Sequence, residues 1–329
     1  MPHEPIHLDR LNPLSTLARF GAGLARPECV ACTAAGNIWV SHHAPDGGGV
    51  VQLTDSGPSH QVIARNGAPD DFMPNGWAME PDSFLIANLA DSGGVWRLRM
   101  DGSCEPFLTE IDGFPMPPVN FVHRDNRGRV WSSVSTWRVP RDRAFHRDVA
   151  DGFIVLTADG QDRIVADGLG YTNEVKVDPR GEYLYAHETM SRRLSRYRIE
   201  RNGLGPRETV VEYLDGVIPD GFDFDEDGGI WCASVMSNRL VRVAADGAQQ
   251  ILIEDCDAEE IAGGMHNWRT GTFTRDDMDI GSRHSLRNIA SVTFGGPDRK
   301  TVYLGSLAGD SLITLRSPVA GAEPPHWRY

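Results

Sequence analysis

The stretch Asp220-Gly221-Phe222-Asp223-Phe224-Asp225-Glu226-Asp227-Gly228-Gly229-Ile230-Trp231-Cys232 holds a pattern that returns along the whole chain. A polar residue leads a short apolar-rich run, a Gly/Asp turn follows, and a hydrophobic triplet ends the phrase. Further copies run from Glu28 to Ile38-Trp39-Val40, from Asn75 to Phe84-Leu85-Ile86, and from Asn120 to Val130-Trp131-Ser132. Another runs from Asn173 to Tyr183-Leu184-Tyr185, and the sixth from Ala290-Ser291 to Val302-Tyr303-Leu304. Each phrase reads as two antiparallel strands around a tight turn, because Asp/Gly clusters between β-rich runs are hairpin signals. Short strands follow each pair, among them Val50–Thr54, Gly94–Met100, Phe153–Thr157, Arg193–Ile199, Arg239–Val243 and Ser311–Arg316. Four strands per unit and six units predict an all-β, six-bladed β-propeller with four-stranded antiparallel blades. The sixth unit lacks a fourth strand of its own, and the segment Leu14–Phe20 is expected to supply it and close the ring.

A repeat of roughly 45–50 residues cannot bury its faces alone and has to stack on its neighbours. The 329 residues are therefore expected to form one domain, with blades starting near residues 28, 75, 120, 173, 220 and 290. Apolar residues make up 40% and charged residues 24%, ordinary for a soluble globular protein. A formal charge of −14 argues against nucleic acid or an anionic membrane as partner, since both select for basic surfaces. No secretory signal or run of 18 apolar residues is visible, and the expected location is cytoplasmic. Five cysteines spread along the chain fit free, mostly buried thiols in a reducing compartment. The partner this leaves is a small-molecule substrate; the oligomeric state is not legible.

In a propeller blade the first strand lines the central axis, so the leading polar residues are expected to gather at one mouth of the channel. The loops after the second strands join them there, carrying His42-His43, Asn88, Thr136-Trp137-Arg138, His187-Glu188, Met236-Ser237-Asn238 and Ser306-Leu307. Two long insertions, 135–151 and 255–288, interrupt the repeat, and the second, which contains Trp268, is a candidate cap for the mouth.

Packing explains hydrophobic triplets but not the residues that lead them. Glu28, Asn120, Asn173 and Asp220 offer two carboxylates and two amide carbonyls at one repeated position. Such a set suits one hard divalent cation: Ca²⁺ first, with Mg²⁺, Mn²⁺ and Zn²⁺ as alternatives. A cation there would acidify a bound water and polarise a carbonyl, with Asp220 as candidate general base. The alternative is that these residues cap strand starts through bonds to the backbone. Asn75 shares the register with a shorter turn and reads as a substrate contact. Trp39, Trp131 and Trp231 read as packing between blades rather than a ligand cage.

The ordered set Pro27-Glu28, Asn120, Thr172-Asn173, Pro219-Asp220-Gly221 and Val292-Thr293-Phe294-Gly295-Gly296-Pro297 resembles the SMP-30/gluconolactonase/luciferin-regenerating-enzyme family, from about Leu14 to Pro318. The resemblance implies a six-bladed propeller with one divalent metal in its central channel. It places the metal-binding Glu, Asn and Asp on Glu28, Asn173 and Asp220, with Asp220 also the base and Asn120 beside metal and substrate. Sugar-lactonase members carry Arg and Asp where this chain has Pro118 and Phe121. Thr172-Asn173-Glu174 replaces Pro-Asn-Gly, which adds Glu174 as a second candidate base. The reading that follows is a metal-dependent hydrolase of a lactone or related cyclic or activated ester. Asn75, Asn120, Phe121, His43, Trp137, His187 and Trp268 are the expected substrate contacts. The alternatives are a metal-dependent lyase or isomerase acting on a carbonyl compound, with Glu174 or His187 as base, and a non-catalytic propeller scaffold.

Overall fold

The hairpin from Pro219–Phe224 to Ile230–Ser234 shows how each phrase folds. Asp225 begins the turn and Gly228 takes a positive φ of 80°, a conformation that costs glycine nothing. The Asp225 carboxylate then accepts from Gly229 N at 2.6 Å, Trp231 Nε1 at 2.9 Å and Arg242 Nε at 2.7 Å. In the third phrase Asp125 does the same. It accepts from the amides of Arg127 and Arg129, from Arg129 Nε at 2.7 Å and from Trp131 Nε1 at 3.1 Å. The turn aspartate thus binds its own hairpin to the indole that ends the phrase, and both indoles are fully buried.

A computed structural model describes residues 4–45, 47–201 and 203–329. Met1, Pro2 and His3, part of the stretch read for a signal, lie outside the described residues, as do Asp46 and Asn202. Six four-stranded antiparallel sheets give an all-β, six-bladed propeller. The first sheet joins Val30–Cys32, Ile38–Ala44, Gly47–Thr54 and Gly57–Ile63. The second joins Pro74–Met79, Ser83–Asn88, Val95–Arg99 and Cys104–Leu108; the third joins Val119–Arg124, Val130–Val134, Gly152–Ala158 and Gln161–Leu169. The fourth comprises Thr172–Val177, Tyr183–Glu188, Arg193–Ile199 and Leu204–Glu212. In the fifth, Arg239–Val243 and Gln249–Ile253 follow the hairpin described above.

The sixth sheet joins the two ends of the chain. Ile289–Gly295, Thr301–Ser306 and Leu312–Arg316 are completed by Ala18–Phe20, with Ala18 opposite Thr314 and Phe20 opposite Leu312. The expected closing segment is therefore present in its second half, while Leu14–Thr16 forms a turn of 3₁₀ helix ahead of it. A small hairpin of Glu110–Ile111 and Phe114–Pro115 lies outside the six sheets.

The chain divides into two compact units. One comprises Met1–Ala44, Val50–Gln61 and Tyr213–Tyr329; the other comprises Pro45–Gly49 and Val62–Glu212. The core of the first lies between the fifth and sixth sheets, where Trp231, Leu240, Leu252, Val292, Phe294 and Leu304 pack together. Trp231 meets Phe294 edge to face at 5.2 Å. In the second unit Leu85, Val95, Leu108, Val122, Val134 and Phe153 fill the space between the second and third sheets. All five cysteines are free. Among the described residues no helix is long and apolar enough to cross a membrane.

The insertion 255–288 contains a helix the sequence reading did not anticipate, α1 (Ala258–Thr270), followed by the short α2 (Arg275–Met278). Gly263-Gly264 weakens its helical signal, and only Ile261, Gly264 and Met265 are buried. Its ends compensate. Asp257 caps the first turn by accepting from the amides of Glu259 and Glu260, and Gly271 closes the last with φ 73°.

The Asp125 carboxylate tests the indole latch. Burial would push its pKa up, but the bonds from Trp131 and Arg129 outweigh burial and hold it below the ordinary value. Because the folded state binds its proton less readily than the unfolded chain, the stabilisation is present above the usual carboxylate range and lost as pH falls through the lowered pKa. Asp125→Ala is expected to cost about 3 kcal/mol at neutral pH, since it leaves Arg129 and Trp131 unpaired. Denaturant unfolding of both proteins should show that difference shrinking below about pH 4; a difference independent of pH would refute the assignment.

Candidate functional site

In the second to sixth sheets the leading residue of a phrase occupies the place where strand pairing slips. Partners run Pro219 to Ser234 and then Phe222 to Cys232, which leaves Asp220 and Gly221 in a bulge. The same slip leaves out Asn120 between Val119 and Phe121, and Asn173 with Glu174 between Thr172 and Val175. It also leaves out Asn75 with Gly76 between Pro74 and Trp77, and Ala290 between Ile289 and Ser291. A bulge re-aims its side chains and frees backbone amides from the ladder. In the second to fifth sheets side chains of the second strand collect amides at or just ahead of it: Asn88 takes Met73 N at 2.9 Å, Ser133 takes Phe121 N at 3.1 Å, and Ser234 takes Ile218 N at 3.0 Å. Glu188 takes Gly170 N at 3.0 Å. In the first sheet Ser41 takes Cys29 N at 2.9 Å and His42 Nδ1 takes Ala25 N at 3.2 Å.

In the first unit the two acidic leaders are both buried, Glu28 at 5% exposure and Asp220 at 8%. Glu28 sits just past a tight turn in which its amide donates to Arg26 O at 2.8 Å. Its Oε2 lies 2.7 Å from Arg26 Nη2, yet that oxygen receives no aligned hydrogen bond. The sixth sheet adjoins it, with Ser306 N donating to Pro27 O at 2.9 Å. The buried hydroxyls of Ser291 and Ser306 also lack a hydrogen-bond partner. Between them Gly305 leaves room for the Glu28 carbonyl: a Cβ there would come within 2.2 Å of Glu28 O and 2.6 Å of Ser291 Oγ. His43 is half-buried, its Nδ1 without a hydrogen bond. Burial, and then the charges of Arg26 and His42, push its pKa down.

In the second unit the amide leaders are tied to their neighbours. Asn75 Nδ2 donates to Asn120 O at 2.9 Å, and Asn120 Nδ2 to Ser135 Oγ at 3.2 Å, which donates to Thr172 O at 3.0 Å. Asn173 Nδ2 donates to Thr189 Oγ1 at 3.0 Å. These nitrogens all face protein acceptors. Phe121 packs over Gly76, where any Cβ would strike its ring, and Lys176 Nζ stands 5.8 Å from that ring. The same lysine is 3.2 Å from Glu174, committing that candidate base to an ion pair. His187 is fully buried, and Trp137 is 42% exposed and stacked on Phe153 at 4.3 Å. Glu188 holds Arg193 at 2.7 Å, Ser195 Oγ at 2.5 Å and the Gly170 amide. Those bonds overcome the effect of burial and keep its pKa low.

Sequence reasoning missed the anchor of the insertion. Asn238, fully buried with φ 45°, donates to Asp255 O at 3.1 Å and Gly281 O at 2.8 Å and accepts from Ile289 N at 3.0 Å. Asn288 adds a bond to Met278 O at 2.9 Å. Farther out, Glu260 binds Arg283 and His284, and Arg269 binds Asp215. The insertion is thus nailed at its root, and Trp268 rides on α1, partly exposed. Asn238 did appear in sequence among the mouth loops; its value there was hidden because its three partners are all backbone.

Among the described residues no three His, Cys, Asp or Glu side chains gather as a metal cluster. The oxygen set expected here contains only two acids in its four members. The unsatisfied Glu28 Oε2, Ser291 Oγ and Ser306 Oγ match the needs of a hard cation and its waters, since buried polar atoms ordinarily find partners.

Residues 60–254 match the sequence pattern described as the SMP-30/Gluconolactonase/LRE-like region. Pentonolactonase XacC of Haloferax volcanii is 26% identical over 265 residues, covering 78% of this chain and 76% of its own length. A gluconolactonase of Xanthomonas campestris shares the fold with a TM-score of 0.60 at 17% identity, over 97% of this chain and 99% of that one. Regucalcin, a calcium-binding protein of Agrobacterium tumefaciens, aligns with a TM-score of 0.59 at 16% identity, over 100% and 98%.

Asn238→Ala removes all three bonds at the root of the insertion while leaving its helices intact. Amide exchange across residues 255–288 is expected to quicken by roughly tenfold or more, about 1–3 kcal/mol of lost protection. Unchanged exchange there would show that the outer ion pairs, not Asn238, hold the segment.

Proposed function

Because the chain belongs to the SMP-30/Gluconolactonase/LRE-like family, we propose that it is a divalent-metal-dependent hydrolase that opens a lactone. The observation that carries the reading is a pair of buried acids at the leading positions of two sheets of one unit, Asp220 in its strand bulge and Glu28 just past a tight turn ahead of its strand. The named activities of its relatives, a pentonolactonase and a gluconolactonase, agree with it. Asn120 and Asn173 are the further oxygen donors that the repeat and the family pattern imply. Calcium is the first candidate, because the donors are all oxygen and the related regucalcin is a calcium-binding protein.

A bound cation would polarise the lactone carbonyl and lower the pKa of a nearby water. Glu28 would hold such a cation, its carboxylate fixed by the tight turn that leads into its strand. Asp220 takes the proton as the water oxygen bonds to the carbonyl carbon. The ring C–O bond then breaks, the departing alkoxide takes that proton, and the product is a hydroxy acid with its carboxylate. Glu174, paired with Lys176, leaves the base role to Asp220. Phe121 and Gly76 make an apolar wall beside the amide donors.

Two measurements test this. Chelator-stripped protein is expected to lose turnover of an aldonolactone panel and to recover it on adding Ca²⁺, followed by proton release. Asp220→Asn is expected to lower kcat by roughly 10²–10⁴-fold, with the fold intact by circular dichroism. Equal turnover by stripped, variant and wild-type protein would sink the proposal.

A further inference from the structure

Residues 317–329 follow the strand Leu312–Arg316 and bind the turns of three hairpins in turn. At the sixth sheet Ser317 N donates to Lys300 O at 2.8 Å, Lys300 Nζ to Pro318 O at 2.9 Å, and Gly321 N to Arg299 O at 2.8 Å. At the fifth, Gly321 bridges Asp225, with Glu226 N donating to Ala320 O and Ala322 N to Phe224 O, each at 2.9 Å. At the first, Ala34 N donates to Trp327 O at 2.7 Å. The close approach needs a glycine, because a Cβ at Gly321 would come within 2.2 Å of Phe294. Arg299, left-handed at φ 51°, fastens the segment from the side. Its Nε donates to Gly321 O at 2.8 Å, and it pairs with Glu226 and Glu323. Its guanidinium also stands 5.9 Å from the ring of Trp327, which is buried.

We propose that this segment is a strap, held by Arg299 and Trp327, that positions the Glu28 sheet against the Asp220 sheet and so sets the affinity of the site for a divalent cation. The inference rests on the reading in which Glu28 and Asp220 serve one cation. Each of these strands runs from its acid to its turn, from Glu28 to Thr33 and from Asp220 to Asp225. A strap across the turns therefore holds the strand ends remote from the acids. At the other end the first sheet is tied to the sixth by Ser306 N, which donates to Pro27 O at 2.9 Å. The seal of the ring is short, only Ala18, Arg19 and Phe20 against Thr314, Ile313 and Leu312. With its turn released, the first hairpin can tilt about those ties and carry Glu28 with it. Calcium holds its oxygens at about 2.3–2.6 Å, so a tilt that moves one carboxylate by about 1 Å loses a ligand. Arg299 and Trp327 touch neither cation nor substrate; they are positioning residues that act through the strands.

The test is calorimetric titration with Ca²⁺ alone of full-length wild type, Trp327→Ala, Trp327→Phe and Leu108→Ala. Leu108 is buried in the second compact unit, and its truncation destabilises a core that contains neither acid. Trp327→Ala is expected to weaken Ca²⁺ binding by about tenfold or more, and Trp327→Phe, which keeps a ring beside Arg299, to regain most of the loss. Leu108→Ala should bind Ca²⁺ as wild type does while unfolding at lower denaturant. Wild-type affinity in Trp327→Ala, no recovery in Trp327→Phe, or an equal loss in Leu108→Ala overturns the proposal, since general destabilisation would then suffice. Should Trp327→Ala not fold, Arg299→Lys, which keeps the charge and loses the planar fork, is judged by the same criteria. If wild type binds no Ca²⁺, the calcium reading fails, and amide exchange judges the strap by itself. Faster exchange across residues 28–33 in Trp327→Ala than in Leu108→Ala supports it; equal exchange overturns it.

Discussion

An amide freed from a β-ladder must find another acceptor, and this requirement organises the chain more than any single side chain does. Each inner strand from the second sheet to the sixth slips its register near the residue that leads its phrase. In the second to fifth sheets the slipped residue is polar, and Asn88, Ser133, Glu188 and Ser234 of the neighbouring strand take backbone amides at or just ahead of the bulge. The leading residues and these supports therefore come as pairs, one on each of two adjacent strands. The support is rigid because it is itself part of the sheet.

The same principle separates two kinds of acid. Glu188, Asp125 and Asp225 are saturated by arginine, indole, hydroxyl and backbone donors, and they serve the fold. Glu28 is buried to a similar degree but has a single cation at one oxygen and no aligned hydrogen bond there. An ionised carboxylate so incompletely satisfied is costly to the folded chain, and such a cost is tolerated where a ligand later removes it. The neighbouring hydroxyls of Ser291 and Ser306 share that condition, which gives the first unit a small region of unmet hydrogen-bonding capacity.

Much of the architecture was legible in the sequence because the turn chemistry repeats. Asp-Gly turns and hydrophobic triplets located the inner hairpins, and strands such as Arg193–Ile199 and Arg239–Val243 emerged with the expected bounds. The leading residues were legible as a set; the bulge that sets them apart was not, because the one extra residue it inserts falls in strands buried on both faces, where no apolar alternation exists to be broken. The indole latches were hidden for a different reason. Asp125 and Asp225 look like ordinary turn residues until Trp131 and Trp231 are seen to donate to them across six positions. Helix α1 was obscured by its paired glycines and narrow apolar stripe, and its caps lie in a segment with no repeat for comparison. Nor could the turn at Arg26 be read, since the positive φ that folds it onto Glu28 belongs to a residue type that rarely adopts it.

The sixth sheet has one more consequence, in the order of synthesis. Its outer strand, Ala18–Phe20, is made long before its partner, Leu312–Arg316. Residues 62–212 contain three whole sheets and can collapse while translation continues, since their strands pair only with near neighbours. The unit that contains Glu28 and Asp220 has no such freedom. Its edge stays unpaired until Leu312–Arg316 has been made, so the sheet that closes on it is exposed to mispairing for longer than the sheets of residues 62–212.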